Sequence, residues 1–403
     1  MPRILKSLIA TACVALVLSA SALATRIMVV SDIHYMDRAL YQGSELFIRA
    51  LRAGDGKYAQ FGDELMAALC DQVRALRPDA LIVTGDLTFN GERDSHAALA
   101  GWFARIEAQG TPVWVIPGNH DINVTSARGF AGDGWYAVPP VTPEEFCAIY
   151  ADHMLPPEGG AGLSYAVDVD DCLRVAMTDV AYYEGGAQTF GLFTAGHAAW
   201  LEEALSGVGG TELITATHHS LLPHTRFSQE SFLMFGHEAM EALVLKHGVR
   251  LNLSGHMHAQ HIARQGALAD AALGAFCSWP HRYALVTLDR GALTYQAKSL
   301  DPVFLPEGFL EDSRAWFEGI AREKTEAALE GVDEDDQALM AGFAARFNLA
   351  YFAGTYDRDD PAWRDDPAYR LWRARADEPF GQYLNLVMDE PTGDNLCCAF
   401  NPD

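Results

Sequence analysis

One apolar segment that ends in a polar loop constrains the fold more than any other feature of this sequence. Residues 113–116 read Val-Trp-Val-Ile, a pattern typical of a buried β-strand, and the Pro-Gly pair at 117–118 ends it. Asn119, His120 and Asp121 follow directly. Because α/β sheets bind their ligands at the carboxyl ends of strands, this segment predicts one wall of a binding site.

Four further predicted strands end in side chains of related chemistry. These ends carry carboxylates and imidazoles, in chain order Asp32 and His34, then Asp86, then His218, then His256 and His258. Segments 64–76 and 95–109, which lie between the early strands, have apolar residues at helical spacing. The alternation predicts an α/β fold whose sheet has parallel neighbours and helices outside it.

The polar groups at these strand ends form the donor set of Mn, Fe or Zn sites, without thiolates. Seven donors are too many for one ion but fit two ions that share a bridge: Asp32, His34, Asp86, Asn119, His218, His256 and His258. Asp86 stands alone at its strand end, so we predict that it is the bridge. Two ions about 3.5–4 Å apart activate a hydroxide and hold the phosphoryl oxygens during in-line displacement.

At these positions the sequence resembles the calcineurin-like metallophosphoesterases, and in particular exported bacterial members of the cyclic-nucleotide-phosphodiesterase kind. The family pattern is D-x-H, G-D, G-N-H-D/E, one or two histidines and then G-H-x-H, and all five elements occur in this order. The resemblance implies a four-layer α/β/β/α sandwich. It implies two metal ions, the first held by Asp32, His34, Asp86 and His258, and the second by Asp86, Asn119, His218 and His256.

Two residues of the third motif are expected to act without binding metal. His120 matches the catalytic histidine, which stabilises the phosphoryl transition state or protonates the leaving oxygen, and Asp121 is expected to orient it. The sequence departs from the family where related diesterases usually read His-His-Pro-Pro, because residues 218–224 read His-His-Ser-Leu-Leu-Pro-His. This leaves the substrate class open. Three further histidines are expected to contact ligands or line the pocket rather than bind metal: His219, His224 and His261.

The N-terminal 24 residues have the features of a secretory signal peptide. Arg3 and Lys6 precede the apolar run 8–18, and small residues follow at 22–24. We predict cleavage after Ala24 and a secreted or extracytoplasmic protein without membrane attachment. A retained anchor is the alternative. The six remaining cysteines permit disulfides but indicate no pairing.

The charge of the chain excludes one class of partner. The sequence has 29 basic and 54 acidic residues, a net charge of −25. Proteins that bind nucleic-acid polymers need clustered Lys and Arg, so we expect none as a partner. The composition favours a small phosphoester substrate that is held by a positively charged group within the site.

We predict three parts: the signal peptide 1–24, a metallophosphoesterase domain 25–305, and a small acidic helical subdomain 306–403. Only helices are expected after about Pro306, with an aromatic stripe that packs in a core rather than binding a ligand.

The predicted activity is hydrolysis of small, cyclic-nucleotide-like phosphodiesters by in-line attack of a metal-bridging hydroxide. The Gly-Asn-His-Asp motif resembles the diesterase branch, whereas nucleotidase relatives more often have Glu after the histidine. A phosphomonoesterase or nucleotidase is the alternative enzyme. A catalytically silent, metal-dependent binding protein is the alternative from another class. The sequence leaves the native metal pair and the oligomeric state open.

Overall fold

The structure is a computed structural model that describes residues 24–157, 159–227, 229–390 and 393–402. The predicted signal peptide, up to residue 23, lies outside the described residues. The strands are β1 (Thr25–Val30), β2 (Ala80–Thr84), β3 (Val113–Ile116), β4 (Arg128–Ala131), β5 (Gly134–Ala137), β6 (Tyr165–Asp168), β7 (Leu173–Met177), β8 (Glu212–Ala216), β9 (Leu251–Ser254), β10 (His261–Gln265), β11 (Leu268–Ala272), β12 (Arg282–Asp289), β13 (Ala292–Ser299) and β14 (Cys397–Phe400).

Twelve α-helices occur in the described part of the chain. They are α1 (Glu45–Ala53), α2 (Gly62–Leu76), α3 (Arg93–Glu107), α4 (Pro143–Ile149), α5 (Ala195–Leu205), α6 (Gln229–Phe232), α7 (His237–Lys246), α8 (Phe309–Ala328), α9 (Glu334–Phe352), α10 (Pro361–Arg364), α11 (Pro367–Arg373) and α12 (Pro379–Met388). Within these residues, no helix is both long enough and apolar enough to cross a membrane.

Two six-stranded sheets form the centre of the molecule. The strand order is β14-β13-β12-β1-β2-β3 in the first sheet and β10-β11-β9-β8-β7-β6 in the second. Strands β1, β2 and β3 are parallel neighbours, as are β7, β8 and β9. Apolar residues of both sheets share one core, while α2 and α3 cover the first sheet and α5 and α7 cover the second. This arrangement confirms the predicted four-layer α/β/β/α sandwich.

The local signals in the sequence predicted several elements well. Helices α2 and α3 lie within two residues of the expected segments. The sequence Thr-Pro-Glu-Glu at 142–145 predicts a capping box, which Thr142 forms with Glu145. The Asp170-Asp171 pair predicts a hairpin, which β6 and β7 form. Strand β2 is buried along its whole length because both faces of the sheet are covered, which explains its continuous apolar sequence.

The segment after β1 is rich in Gly and charged residues, which predicts a long loop up to about residue 61, but α1 forms within it. The Ser44 side chain accepts a hydrogen bond from the Leu46 amide, so it caps the helix, and Phe47 and Leu51 bury one face. The spacing of those two apolar residues was a detectable signal, although charged neighbours surround them.

The expectation of helices only after Pro306 was also wrong. Strand β14 returns to the first sheet and pairs antiparallel with β13, with Ala399 opposite Thr294. The helices themselves are confirmed: α9, α11 and α12 enclose a core of their own that contains Phe343, Phe347 and Trp372. The boundaries of this subdomain stay a prediction. The six cysteines in the described residues are unpaired.

Candidate metal centre

The candidate site lies where the carboxyl ends of five strands from both sheets converge. Strands β1, β2 and β3 lead into Asp32 and His34, Asp86, and Asn119 to Asp121, respectively. Strands β8 and β9 lead into His218, and into His256 and His258. The structure therefore brings together all seven predicted metal ligands, although they span more than 220 positions of the chain.

The backbone at this site is held in conformations that L-residues rarely adopt. Five of the seven residues have positive φ angles: Asp32 (54°), His34 (44°), Asp86 (50°), His256 (66°) and His258 (57°). Each such residue costs of the order of 1–3 kcal/mol, and such costs concentrate at functional sites. A side chain at Gly118 would overlap the carboxylate of Asp86, so glycine is required at that position.

The first group of donors combines two carboxylates and two imidazoles, from Asp32, His34, Asp86 and His258, with ligand atoms within 4.8 Å of one another. Nε2 of His258 lies 3.1 Å from Nε2 of His34 and 3.3 Å from Oδ1 of Asp32. Nε2 of His34 lies 3.5 Å from Oδ2 of Asp86. These four residues match the first ligand set implied by the family resemblance.

The second group contains Asp86, His218 and His256, and Asn119 adjoins it. Nε2 of His218 lies 3.3 Å from Oδ1 of Asp86 and 3.2 Å from Oδ1 of Asn119. Asp86 thus belongs to both groups, with one oxygen directed to each. This is the position expected of a bridging carboxylate.

The protonation pattern around His218 fits a bound cation. Its Nδ1 donates to the Thr84 carbonyl, 2.8 Å away, so Nε2 presents a lone pair toward the Asp86 and Asn119 oxygens. Three lone pairs converge there, and a proton or a metal ion between them would satisfy all three. Burial alone would lower the pKa of His218, but the Asp86 carboxylate raises it to about 9. A metal ion would replace that proton.

His120 lies beside the donors without being one of them. Its ring is edge-on to the His34 ring at 4.9 Å, and its backbone amide donates to Oδ1 of Asp86. Nδ1 of His120 contacts the Phe89 carbonyl at 2.9 Å and Oδ1 of Asn90 at 3.1 Å. Because these acceptors fix Nδ1 as the donor, Nε2 is the atom left for chemistry.

Asp121 does not orient His120, contrary to the sequence-based expectation. Its carboxylate accepts hydrogen bonds from the backbone amides of Leu87, Thr88 and Gly118, at 2.7–3.1 Å. It therefore joins the loop after β2 to the loop after β3. Burial, together with the nearby Asp86, raises the pKa of Asp121 to about 7, and the amide bonds oppose this shift.

Sequence reasoning missed three groups that surround the donors. The Asp55 carboxylate lies 2.9 Å from Nδ1 of His258, and the Ser231 carbonyl accepts from Nε2 of His256 at 2.8 Å. The Lys57 ammonium lies 3.6 Å from Asp55 and is nearly buried. Burial would lower the pKa of Lys57, but Asp55 raises it, so the ammonium stays charged. In the sequence, the only signal for Asp55 and Lys57 was that both lie in a charged loop.

The three histidines that were expected to contact ligands or line the pocket lie outside both donor groups. His219 contacts the His256 ring at 4.4 Å and the Thr189 carbonyl at 3.1 Å. His224 and His261 form a separate pair, with their Nδ1 atoms 3.1 Å apart, and His224 also contacts Asp270. The expectation that these residues are not metal ligands stays a prediction.

The sequence profile of the calcineurin-like phosphoesterase family matches residues 25–260, which is more than half of the chain. The protein therefore belongs to the calcineurin-like phosphoesterases. Over 200 residues it is 26% identical to a cAMP/cGMP dual specificity phosphodiesterase of Mycobacterium tuberculosis, which covers 49% of this chain and 54% of that protein.

Two other similarities agree with this family. A probable cyclic nucleotide phosphodiesterase of Synechococcus is 24% identical over 205 residues, or 50% of this chain and 66% of that protein. The chain thus spans between one half and two thirds of each of these relatives. A dimetal phosphatase from Danio rerio has the same fold, with a TM-score of 0.50 at 14% identity over 69% of this chain and 96% of that one.

Proposed function

We propose that the protein hydrolyses small phosphodiesters of the cyclic-nucleotide kind and uses two metal ions. One observation carries this proposal: Asp86 directs one carboxylate oxygen toward each of two donor groups, so two ions would be held side by side. The phosphodiesterase names of both relatives support a diester substrate over a monoester. The intact donor sets and His120 argue against a catalytically silent binding protein.

When bound, such an ion pair supplies a hydroxide nucleophile at neutral pH and neutralises charge on the phosphoryl group. The residues of the chain provide the positioning. Carboxylate and imidazole donors of this type suit Mn, Fe or Zn. The Lys57 ammonium adds a local positive charge to a strongly acidic protein, which favours the approach of an anionic ester.

His120 is the residue that we assign to the leaving group. Burial lowers the pKa of the free ring, so His120 is neutral before the substrate binds. An anionic phosphoryl group next to Nε2 would raise that pKa and favour a proton on this nitrogen. Nδ1 keeps its hydrogen bond to the Phe89 carbonyl, so the proton on Nε2 is free to move to the departing oxygen.

A panel of esters tests the proposal. The purified protein is stripped of metal with a chelator, reloaded with Mn²⁺, and assayed on cyclic AMP, on an aryl phosphodiester and on 5′-AMP. We expect no turnover after chelation, recovery with Mn²⁺, and a higher kcat/KM for the diesters than for 5′-AMP. A preference for 5′-AMP would favour the phosphomonoesterase instead, and full activity in the stripped protein would contradict both.

We further propose that the protein is exported and begins at Thr25 after cleavage. The basic start, the apolar run and the small residues at 22–24 support this proposal. Expression of the full-length chain in a bacterium, followed by fractionation and N-terminal sequencing, tests it. An intact Met1 on a membrane-bound product would favour the anchor.

A further inference from the structure

A cavity lies between the loop that contains Asp55 and the C-terminal helices. Its volume is about 250 Å³. One wall is the loop that contains Asp55, and the opposite wall comes from helices α8, α9 and α12. A single ring system fits such a volume, which is below the usual range for larger ligands.

The cavity adjoins the metal centre through two loops. Asp55 lines it and contacts Nδ1 of His258 at 2.9 Å. Phe227 also lines it, and this residue lies four positions before Ser231, whose carbonyl contacts Nε2 of His256. The segments that support both histidines of the last motif therefore also contribute to the wall of the cavity.

The lining of the cavity is aromatic, with polar groups at a few places. The rings of Phe317 and Phe352 lie 5.4 Å apart, and those of Phe227 and Tyr383 lie 5.0 Å apart. The Tyr383 hydroxyl donates to Oδ1 of Asn348 at 2.9 Å, which leaves the Nδ2 hydrogens of Asn348 for another acceptor. Aromatic faces with a fixed amide donor are what a planar, hydrogen-bonding heterocycle requires.

We propose that this cavity binds the nucleobase of the substrate, so that the C-terminal helices select nucleotide esters. This inference rests on the proposed function, because it names the part of the substrate that lies beyond the phosphodiester. The base would stack on Phe352 and Tyr383, and Asn348 would donate to one of its ring nitrogens or carbonyl oxygens. The departure from the usual His-His-Pro-Pro sequence lies at the start of the loop that carries Phe227.

A variant that fills the cavity gives the first test. Ala321 lines the cavity on α8, and Ala321→Phe would occupy the space of the base. The matched control is Ala315→Phe, because Ala315 is exposed on the same helix. A second variant, Phe352→Leu, keeps an apolar side chain but removes an aromatic face, and it serves if Ala321→Phe does not fold.

Two measurements are made on the full chain. The first is titration calorimetry with adenosine, which has no phosphate and so reports on the cavity without turnover. The second is the KM of the Mn²⁺-loaded enzyme for cyclic AMP and for cyclic ribose phosphate, which has no base. We expect Ala321→Phe and Phe352→Leu to weaken adenosine binding and to raise the KM for cyclic AMP about tenfold or more, with little effect on cyclic ribose phosphate. Ala315→Phe should match the wild type.

The outcomes separate this inference from the proposed function. Turnover of both diesters with no adenosine binding, or equal effects of Ala321→Phe on both diesters, would overturn the nucleobase site and leave the phosphodiesterase intact. Adenosine binding that Ala321→Phe abolishes, in a protein without turnover of any diester, would support the site and contradict the proposed activity.

Discussion

The Asp55 carboxylate lies 2.9 Å from Nδ1 of His258, on the side of the ring opposite the metal donors. Metal-binding histidines commonly donate their second nitrogen to a carboxylate, which fixes the tautomer and the ring orientation. The Asp55 side chain is partly exposed, and the Lys57 and His258 charges hold the pKa of Asp55 well below its usual range. Asp55 therefore stays ionised and directs the lone pair of Nε2 toward the first donor group.

Asp55→Ala should weaken metal binding at the first site about 10–100-fold while the second site keeps its ion. Asp55→Asn should lose less metal affinity than Asp55→Ala, because the amide oxygen can still accept a hydrogen bond from Nδ1 of His258. Metal content after dialysis against graded chelator concentrations measures the two sites. Equal loss of both ions in Asp55→Ala would show that Asp55 acts on the whole loop structure and not through His258.

Asp86→Ala should lose both ions, because one carboxylate belongs to both donor groups. The matched comparison is His218→Ala, which should mainly lose the second ion, since His218 contacts only that group. Elemental analysis of the purified variants measures bound metal per chain. Two retained ions in Asp86→Ala would exclude a bridging role.

His120→Ala should lower kcat by about 10²–10⁴-fold with both ions still bound, because His120 is not part of either donor group. The loss should be larger for a cyclic nucleotide, whose leaving group is an alkoxide, than for an aryl phosphodiester, whose phenolate leaves without a proton. Steady-state kinetics on both esters measures the difference. Equal losses would leave His120 as an electrostatic group rather than an acid, and loss of metal would make it a ligand.

Glu92 gives a pH-dependent prediction. Its carboxylate is buried and accepts from the Asn90 amide, and burial raises its pKa to about 7 from 4.5. A pKa that is higher in the folded state contributes stability below pH 4.5, and this contribution is lost as the pH rises through about 7. Glu92→Gln should therefore gain up to about 3 kcal/mol of unfolding free energy relative to the wild type between these values.

Urea unfolding at pH 4.5, 6 and 8 measures this difference for Glu92→Gln. The exposed Glu144→Gln is the control and should give the same difference from wild type at each pH. A constant difference for Glu92→Gln would show that the Glu92 carboxylate is not desolvated.

The sequence by itself determined the layered fold and the set of polar strand ends. Parallel strands such as β2 are covered on both faces, so their apolar runs and the polar residues after them are visible without a structure. Side chains such as Asp32, Asp86 and His218 could be grouped because the carboxyl ends of parallel strands meet at one edge of a sheet. The ordered motifs were therefore enough to predict the family and to group the candidate ligands.

Only the tertiary structure decided what supports those ligands. Asp55 comes from a loop and Ser231 from the four-residue helix α6, and neither segment has a periodic pattern. Their contacts with His258 and His256 depend on how these segments fold over the sheet edge. Nothing in the sequence identifies the partners of Asp121, yet its carboxylate joins two loops. Strand β14 was invisible because four residues form a strand only when an existing edge supplies their hydrogen bonds. Contacts between distant segments depend on tertiary packing, so local sequence patterns cannot predict them.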